Sequence, residues 1–459
     1  MKKQQNDFLN GSILPSLLRF AGPVLLALFL QAMYGAVDLI VVGKFAGTAD
    51  ISAVSTGSQA MQLVTSLLVG LTTGVTVLLG QKIGEGKPDE AGSVVGSAIC
   101  LFVCVALALT ALLTVLTDPF CRLLQAPEEA FVPTTQYVRI CSAGTLFIVA
   151  FNVIGSVFRG LGDSKMPLIT VAIACVTNIF GDLLLVDVFQ MGAVGAALAT
   201  VFAQAVSVIL SLLVIMRRKL PFTFRREQLR FDRPLTAGIL RLGIPIALQD
   251  VLVGVSFLVI LAIVNSLGLL QSAGMGIAEK VCAFVMLLPS AFSQSVSAFV
   301  AQNTGAGKPE RAKKALRYSV AVSLSISVFV FYFNFFHGDL LAGIFANDRA
   351  VVLEAADYLK AYAIDCLLTS FLFCFVGYFS GLGKTVFVMA QGILGAFGVR
   401  IPVSFAMSRL PNVRLFYIGL ATPCSTVVQV LLCLGYYAHL ARREQAACMC
   451  GRDFPSGHW

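Results

Sequence analysis

Charge is what this chain has least of. Only 12% of its 459 residues are Asp, Glu, Lys or Arg, against 58% hydrophobic, a balance that no soluble domain keeps off its surface. The chain therefore reads as a polytopic membrane protein. Histidine is scarce too. Its three copies, at 337, 439 and 458, fall by expectation in loops or the tail, which leaves a membrane-embedded enzyme little from which to build a nucleophile–base pair or a ligand set at one depth. A cleavable leader is missing from the pattern as well: Met1 to Asp7 runs straight into an apolar stretch too long for a signal-peptide core, so the first span is expected to stay as an anchor.

Two further absences narrow the reading. The net charge of +9 does not imply nucleic acid, because most basic residues gather on one side of the predicted membrane topology, where they set orientation. With the N-terminus inside, both termini are cytoplasmic. The 12 cysteines sit singly in apolar runs, apart from Cys448 and Cys450, and are expected to act as small hydrophobes rather than a disulfide framework. A tail metal site built with His439 or His458 is the alternative for that last pair.

What is present is repetition. Apolar runs between charged or Gly/Pro-rich breaks predict twelve spans. Phe158-Arg-Gly-Leu-Gly162 returns as Phe379-Ser-Gly-Leu-Gly383, and Gly84-Glu-Gly-Lys-Pro88 as Gly305-Ala-Gly-Lys-Pro309, each 221 residues later. The fold class is thus an all-α membrane protein, twelve transmembrane helices in two six-helix bundles related by a pseudo-two-fold axis along the membrane normal. The domains expected are a first bundle over 1–216, a basic cytoplasmic linker over 217–237, a second bundle over 238–441 and a cytoplasmic tail over 442–459. The linker reads as an orientation signal touching lipid headgroups, or as a regulatory lipid site. Paired bundles of this kind leave a cleft near the midplane for cargo, and neither a charged ring nor a filter sequence argues for a pore.

Polar residues inside the spans point to the chemistry. Asn178 and Asp182 are four apart, as are Ala196 and Thr200, so each pair shares a helix face. A turn near Gln190 sets Asp182 against Ala196 and Asn178 against Thr200. Asp38 of the first span comes to the same depth, and Asn152 of the fourth is a further neighbour. Carboxylate, amide oxygen, hydroxyl and a backbone carbonyl are hard donors suited to a small cation; a polar clamp between helices is the bland alternative. The corresponding second-half positions are Val259, Val399, Val403 and Ala421. A duplicated packing clamp would persist in both copies, so the asymmetry favours a cation site, Na⁺ or H⁺. Pro23 removes a backbone hydrogen bond low in the first span and reads as either a hinge or a static kink. In the second half Asp365 and Arg400 are equidistant from the turn at Leu382 and Gly383, which predicts an ion pair. Asp250, Glu279 and Lys280 are further intramembrane charges, lining a cavity or pairing locally.

Taken together, these residues resemble the multidrug and toxic compound extrusion (MATE) family of bacterial antiporters, over nearly the whole chain. The resemblance implies cation-coupled export of amphipathic, often cationic organic compounds by alternating access, from the cell membrane, with no cofactor beyond the coupling ion and a single chain sufficient as a monomer. It also implies an N-lobe cation site at the positions matching Asp38, Asn178, Asp182, Ala196 and Thr200, with Tyr137 and Asn152 as polar neighbours and Pro23 at the bend of span one. Another branch of the family carries acids where this chain has Val253 and near, but not at, Asp365. That departure places coupling in the N-lobe. A lipid-linked saccharide flippase of the same superfamily is the nearer rival, but such proteins line their cleft with several basic residues, and only Lys280, Arg400 and Arg139 qualify here.

Overall fold

The computed structural model describes residues 8–124, 127–217, 220, 222, 224–411 and 413–449, without the side chains of 446–449. Among them, eleven helices are long and apolar enough to cross a bilayer, and a further span is a helix pair bent by 54°. The first half comprises Ile13–Phe45, Thr48–Gly84, Pro88–Val115, the bent pair Glu128–Ala143 and Thr145–Gly160, Lys165–Val188 and Gly192–Arg217. The second comprises Arg233–Asn265, Leu269–Gly305, Pro309–Phe336, Arg349–Gly381, Thr385–Ser408 and Leu415–Gln445. The predicted twelve-span, all-helical class is what the chain adopts. The seventh helix opens at Arg233, inside the stretch read as linker. His439, expected in a loop or the tail, lies within the last helix and stacks on Tyr436, because that helix continues past the apolar run. The Cys448 side chain, Cys450 and His458 lie outside the described residues.

The repeated loop motifs have one physical cause. Gly86, Gly162, Gly307 and Gly383 take φ of +70°, +77°, +66° and +76°, the left-handed conformation that glycine adopts without a Cβ penalty. At each, the next residue's amide donates to a carbonyl five residues back: Lys87 to Lys82, Asp163 to Phe158, Lys308 to Asn303 and Lys384 to Phe379. These bonds close helix ends that would otherwise leave carbonyls unpaired. Pro88 and Pro309 then open the following helices, where a missing N–H costs nothing.

Two compact units result, one built on Leu18–Ala247 and the other on Leu248 and the residues after it. Each is packed through small residues, as expected where lipid supplies no hydrophobic drive and close van der Waals contact holds helices together. In the first unit a Cβ on Gly160 would lie 2.9 Å from the Thr76 carbonyl oxygen; in the second, one on Gly381 would lie 2.7 Å from that of Ser297. The same crossing of second-type and fourth-type spans thus occurs in both. The bend of the fourth span falls at Gly144, where a Cβ would meet Val201 of the sixth span at 2.5 Å. The opening turns of the seventh helix belong to the first unit, with Gly70 and Gly74 of the second span against Ala247, Ile239 and Gly243.

Candidate cation site

The hairpin of the fifth and sixth spans sets the site. Its helix Lys165–Asp182 passes into a π-helical turn, Leu183–Val188, directly after Asp182, and such turns concentrate where a side chain must be re-aimed. The chain then reverses through Gln190, at φ +54°, and Gly192, at φ +53°. Asp50, at the start of the second span, accepts a 2.9 Å hydrogen bond from the Ala193 amide. It fills the space a Gly192 Cβ would need, at 2.5 Å. The register follows from two close approaches about Gln190: Gly181 against Ala199 and Gly195 against Leu185.

That register brings the first-half polar residues together. The Thr200 hydroxyl lies 3.4 Å from a carboxylate oxygen of Asp38, and the Asp38 carboxyl is also within interaction range of Asp182 and Asn178. Asp38 is 5% exposed, Asn178 1% and Asp182 0%. Yet one oxygen of Asp38, both of Asp182 and both amide heteroatoms of Asn178 lack a hydrogen-bond partner among the described residues. Buried polar atoms are nearly always satisfied, so these gathered orphans are suited to a proton or a small hard cation, whose charge offsets two neighbouring carboxylates. Ala196 is fully buried on the facing helix and supplies no side-chain donor.

Neighbours extend the site. Tyr137 packs its ring over Gly57 and lies within electrostatic reach of Asp38 and Asp182. Tyr34 interacts with both Asp38 and Gln204, and Cys141 and Cys175 lie close to Asp38. Tyr34, Gln204 and the two cysteines went unnoticed in the sequence, although Tyr34 stands four before Asp38 and Gln204 four after Thr200, the spacing of a shared face. Asn152 is bonded within its own helix. Its amide donates 2.8 Å to the Ile148 carbonyl of its own helix. Pro23 sits inside the unbroken helix Ile13–Phe45, and among the described residues nothing beyond the adjoining turns of its own helix lies within 4 Å of where a Gly22 Cβ would be.

In the second unit the expected Asp365–Arg400 ion pair does not form. Arg400 donates 3.1 Å to the Ser256 hydroxyl and stacks 4.4 Å over the Phe257 ring, while Asp365 receives the Thr369 hydroxyl at 3.4 Å. The reason is the π-helical segment Leu394–Arg400. It holds more residues per turn than an α-helix, so it rotates the side chains that follow off the face an unbroken helix would give them. One Asp365 oxygen and the Arg400 Nε are left without partners, and the two groups still feel each other at longer range. Glu279 lies within electrostatic range of Cys282 and Tyr358 whereas adjacent Lys280 is exposed, and Asp250 is half-buried. Arg139 pairs with Asp118 at 2.9 Å with both side chains half exposed.

Two six-span halves with a buried polar cluster in one of them define a polytopic membrane protein built by duplication. The MatE family model matches residues 23–184 and 245–406, one match in each half, and the chain belongs to that family. It is 25% identical over 441 residues to the probable multidrug resistance protein YoeA of Bacillus subtilis (strain 168), covering 95% of both chains. With the probable multidrug resistance protein YpnP of the same strain it shares 29% over 417 residues, 89% of this chain and 90% of the relative. Among solved structures, a MATE in complex with MaL6 superposes with a TM-score of 0.90 at 18% identity, over 96% of this chain and 99% of that one.

Proposed function

We propose that the protein is a cation-coupled multidrug efflux antiporter of the cell membrane, with both termini cytoplasmic, exporting amphipathic and often cationic organic compounds by alternating access. Asp38 and Asp182 act as the coupling carboxylates, Asn178 and Thr200 as neutral ligands, and Tyr137 as a polar neighbour. The observation that carries this reading is the buried cluster of oxygens without protein partners around Asp38 and Asp182. Two carboxylates so close cannot both stay ionised unless a cation lies between them, and without one the pair holds a proton. An ion bound there shifts the conformational population by its differential affinity for the two states. The named relatives are multidrug proteins, which supports the cargo class, and a single chain holding both halves is sufficient as a monomer.

Drug efflux from proteoliposomes under an imposed Na⁺ gradient, and separately under an imposed pH gradient, tests it. Efflux driven by one or both gradients in the wild type, and by neither in Asp38→Asn, is the expected result. Gradient-independent efflux, or solute conversion without vectorial movement, would overturn it.

A further inference from the structure

The first unit contains a cavity that the cation site does not use. It has a volume of about 540 Å³ and lies between the third span, the second limb of the fourth and the end of the sixth, with Ile99, Val153, Leu212 and Met216 among its walls and Phe222 and Phe224 of the linker closing it. No polar side chain lines it. Sites for whole drug-like molecules carry a few polar groups that fix orientation; here polarity is confined to the rim. Arg217 follows Met216, and Arg225 and Arg226 follow Phe224. All three are exposed, and none forms an ion pair among the described residues. Opposing them in the segment are only Glu227 and Asp232.

The linker residues Gln228 and Arg230 are fixed against the third span. A Cβ on Gly96 would lie 1.9 Å from the Gln228 carbonyl oxygen, and one on Gly92 would lie 2.7 Å from the Gln228 side chain. Gln228 donates to the Asp89 carbonyl at 3.1 Å, and Ser97 donates to that of Arg230 at 3.4 Å. Phe222 is 6% exposed, so the linker contributes a true wall.

We infer that this cavity binds one acyl chain of an anionic phospholipid from the leaflet on the linker's side, with Arg217, Arg225 and Arg226 holding its phosphate. A dry hydrocarbon slot with arginines only at its mouth matches an amphiphile with an apolar tail and an anionic head, and juxtamembrane basic clusters attract such lipids. The bound tail packs against Phe222 and Phe224, so lipid occupancy and linker docking reinforce each other.

The test uses the full chain purified in detergent, incubated with phosphatidylglycerol or phosphatidylcholine and read by native mass spectrometry and thermal melting. Phosphatidylglycerol is expected to be retained and to raise the melting temperature, phosphatidylcholine far less. Arg217→Gln/Arg225→Gln/Arg226→Gln, at exposed positions, is expected to melt like the wild type without lipid and to lose the preference, by about five-fold per arginine. Val153→Trp fills the slot and Leu212→Phe narrows it; whichever of them melts cooperatively is expected to lose retention of both lipids. Equal retention of the two lipids by the wild type, undiminished retention in the slot variants, or displacement of phosphatidylglycerol by a tail-less organic cation would overturn the proposal.

Discussion

Thr200 places its hydroxyl 3.4 Å from the Asp38 carboxylate across 162 residues of chain. It does so because the fifth and sixth spans reverse about Gln190 in a register that points Thr200 at the first span. Asp38→Asn is expected to abolish drug resistance in a pump-deficient host while the protein stays in the membrane, checked by growth under drug and by immunoblot of the membrane fraction. Thr200→Ala removes one neutral donor and is expected to weaken coupling by roughly five-fold, the equivalent of about 1 kcal/mol, read as the ion concentration giving half-maximal efflux.

The hairpin depends on Asp50 and Gly192. Gly192→Ala forces a Cβ into left-handed backbone and against a carboxylate 2.5 Å away, which is expected to cost about 1–2 kcal/mol. Asp50→Ala leaves the Ala193 amide without its acceptor, an expected cost of about 1–3 kcal/mol. The double variant is expected to fall short of the sum, since both changes break one contact. Thermal melting of the purified variants measures this.

Gly160 and Gly381 occupy the same crossing in the two units. Valine at either is expected to destabilise by about 1–3 kcal/mol through overpacking, and the two melting shifts are expected to be alike. A shift confined to one variant would mean that the crossings differ in how far they relax.

For Arg400, the hydroxyl it meets matters more than the acid it misses. Ser256→Ala and Arg400→Ala are expected to be non-additive by about 0.5–3 kcal/mol in a double-mutant cycle. Asp365→Ala with Arg400→Ala is expected to couple more weakly, because no direct bridge joins them. Stability of each variant in detergent gives the four corners of both cycles.

The spans, their number and their duplication were legible because each follows from local pattern: apolar runs of bilayer length, and glycines that only a left-handed turn requires. The register of the fifth and sixth spans about Gln190 was legible for a related reason, since two short helical spacings about one turn define a face. Arg400 shows where such bookkeeping stops. A π turn changes the phase of a helix without a compositional signature, so Leu394–Arg400 looked like any apolar run. Asp50 was invisible for the opposite reason: it acts on Ala193 from another helix, and nothing in its own neighbourhood marks it. For Asn152, counting residues gives depth in the membrane but not the bond its amide makes to the Ile148 carbonyl.

The four left-handed glycines carry a consequence for the history of the chain. Corresponding turns close both halves, while Asp38 and Asp182 of the first half are matched in the second by Val259 and Val403. Duplication followed by divergence accounts for both, the glycine turns having been kept and the buried charges exchanged. Under the proposed function, changes of cargo can be written into the second half without touching the residues around Asp38 and Asp182.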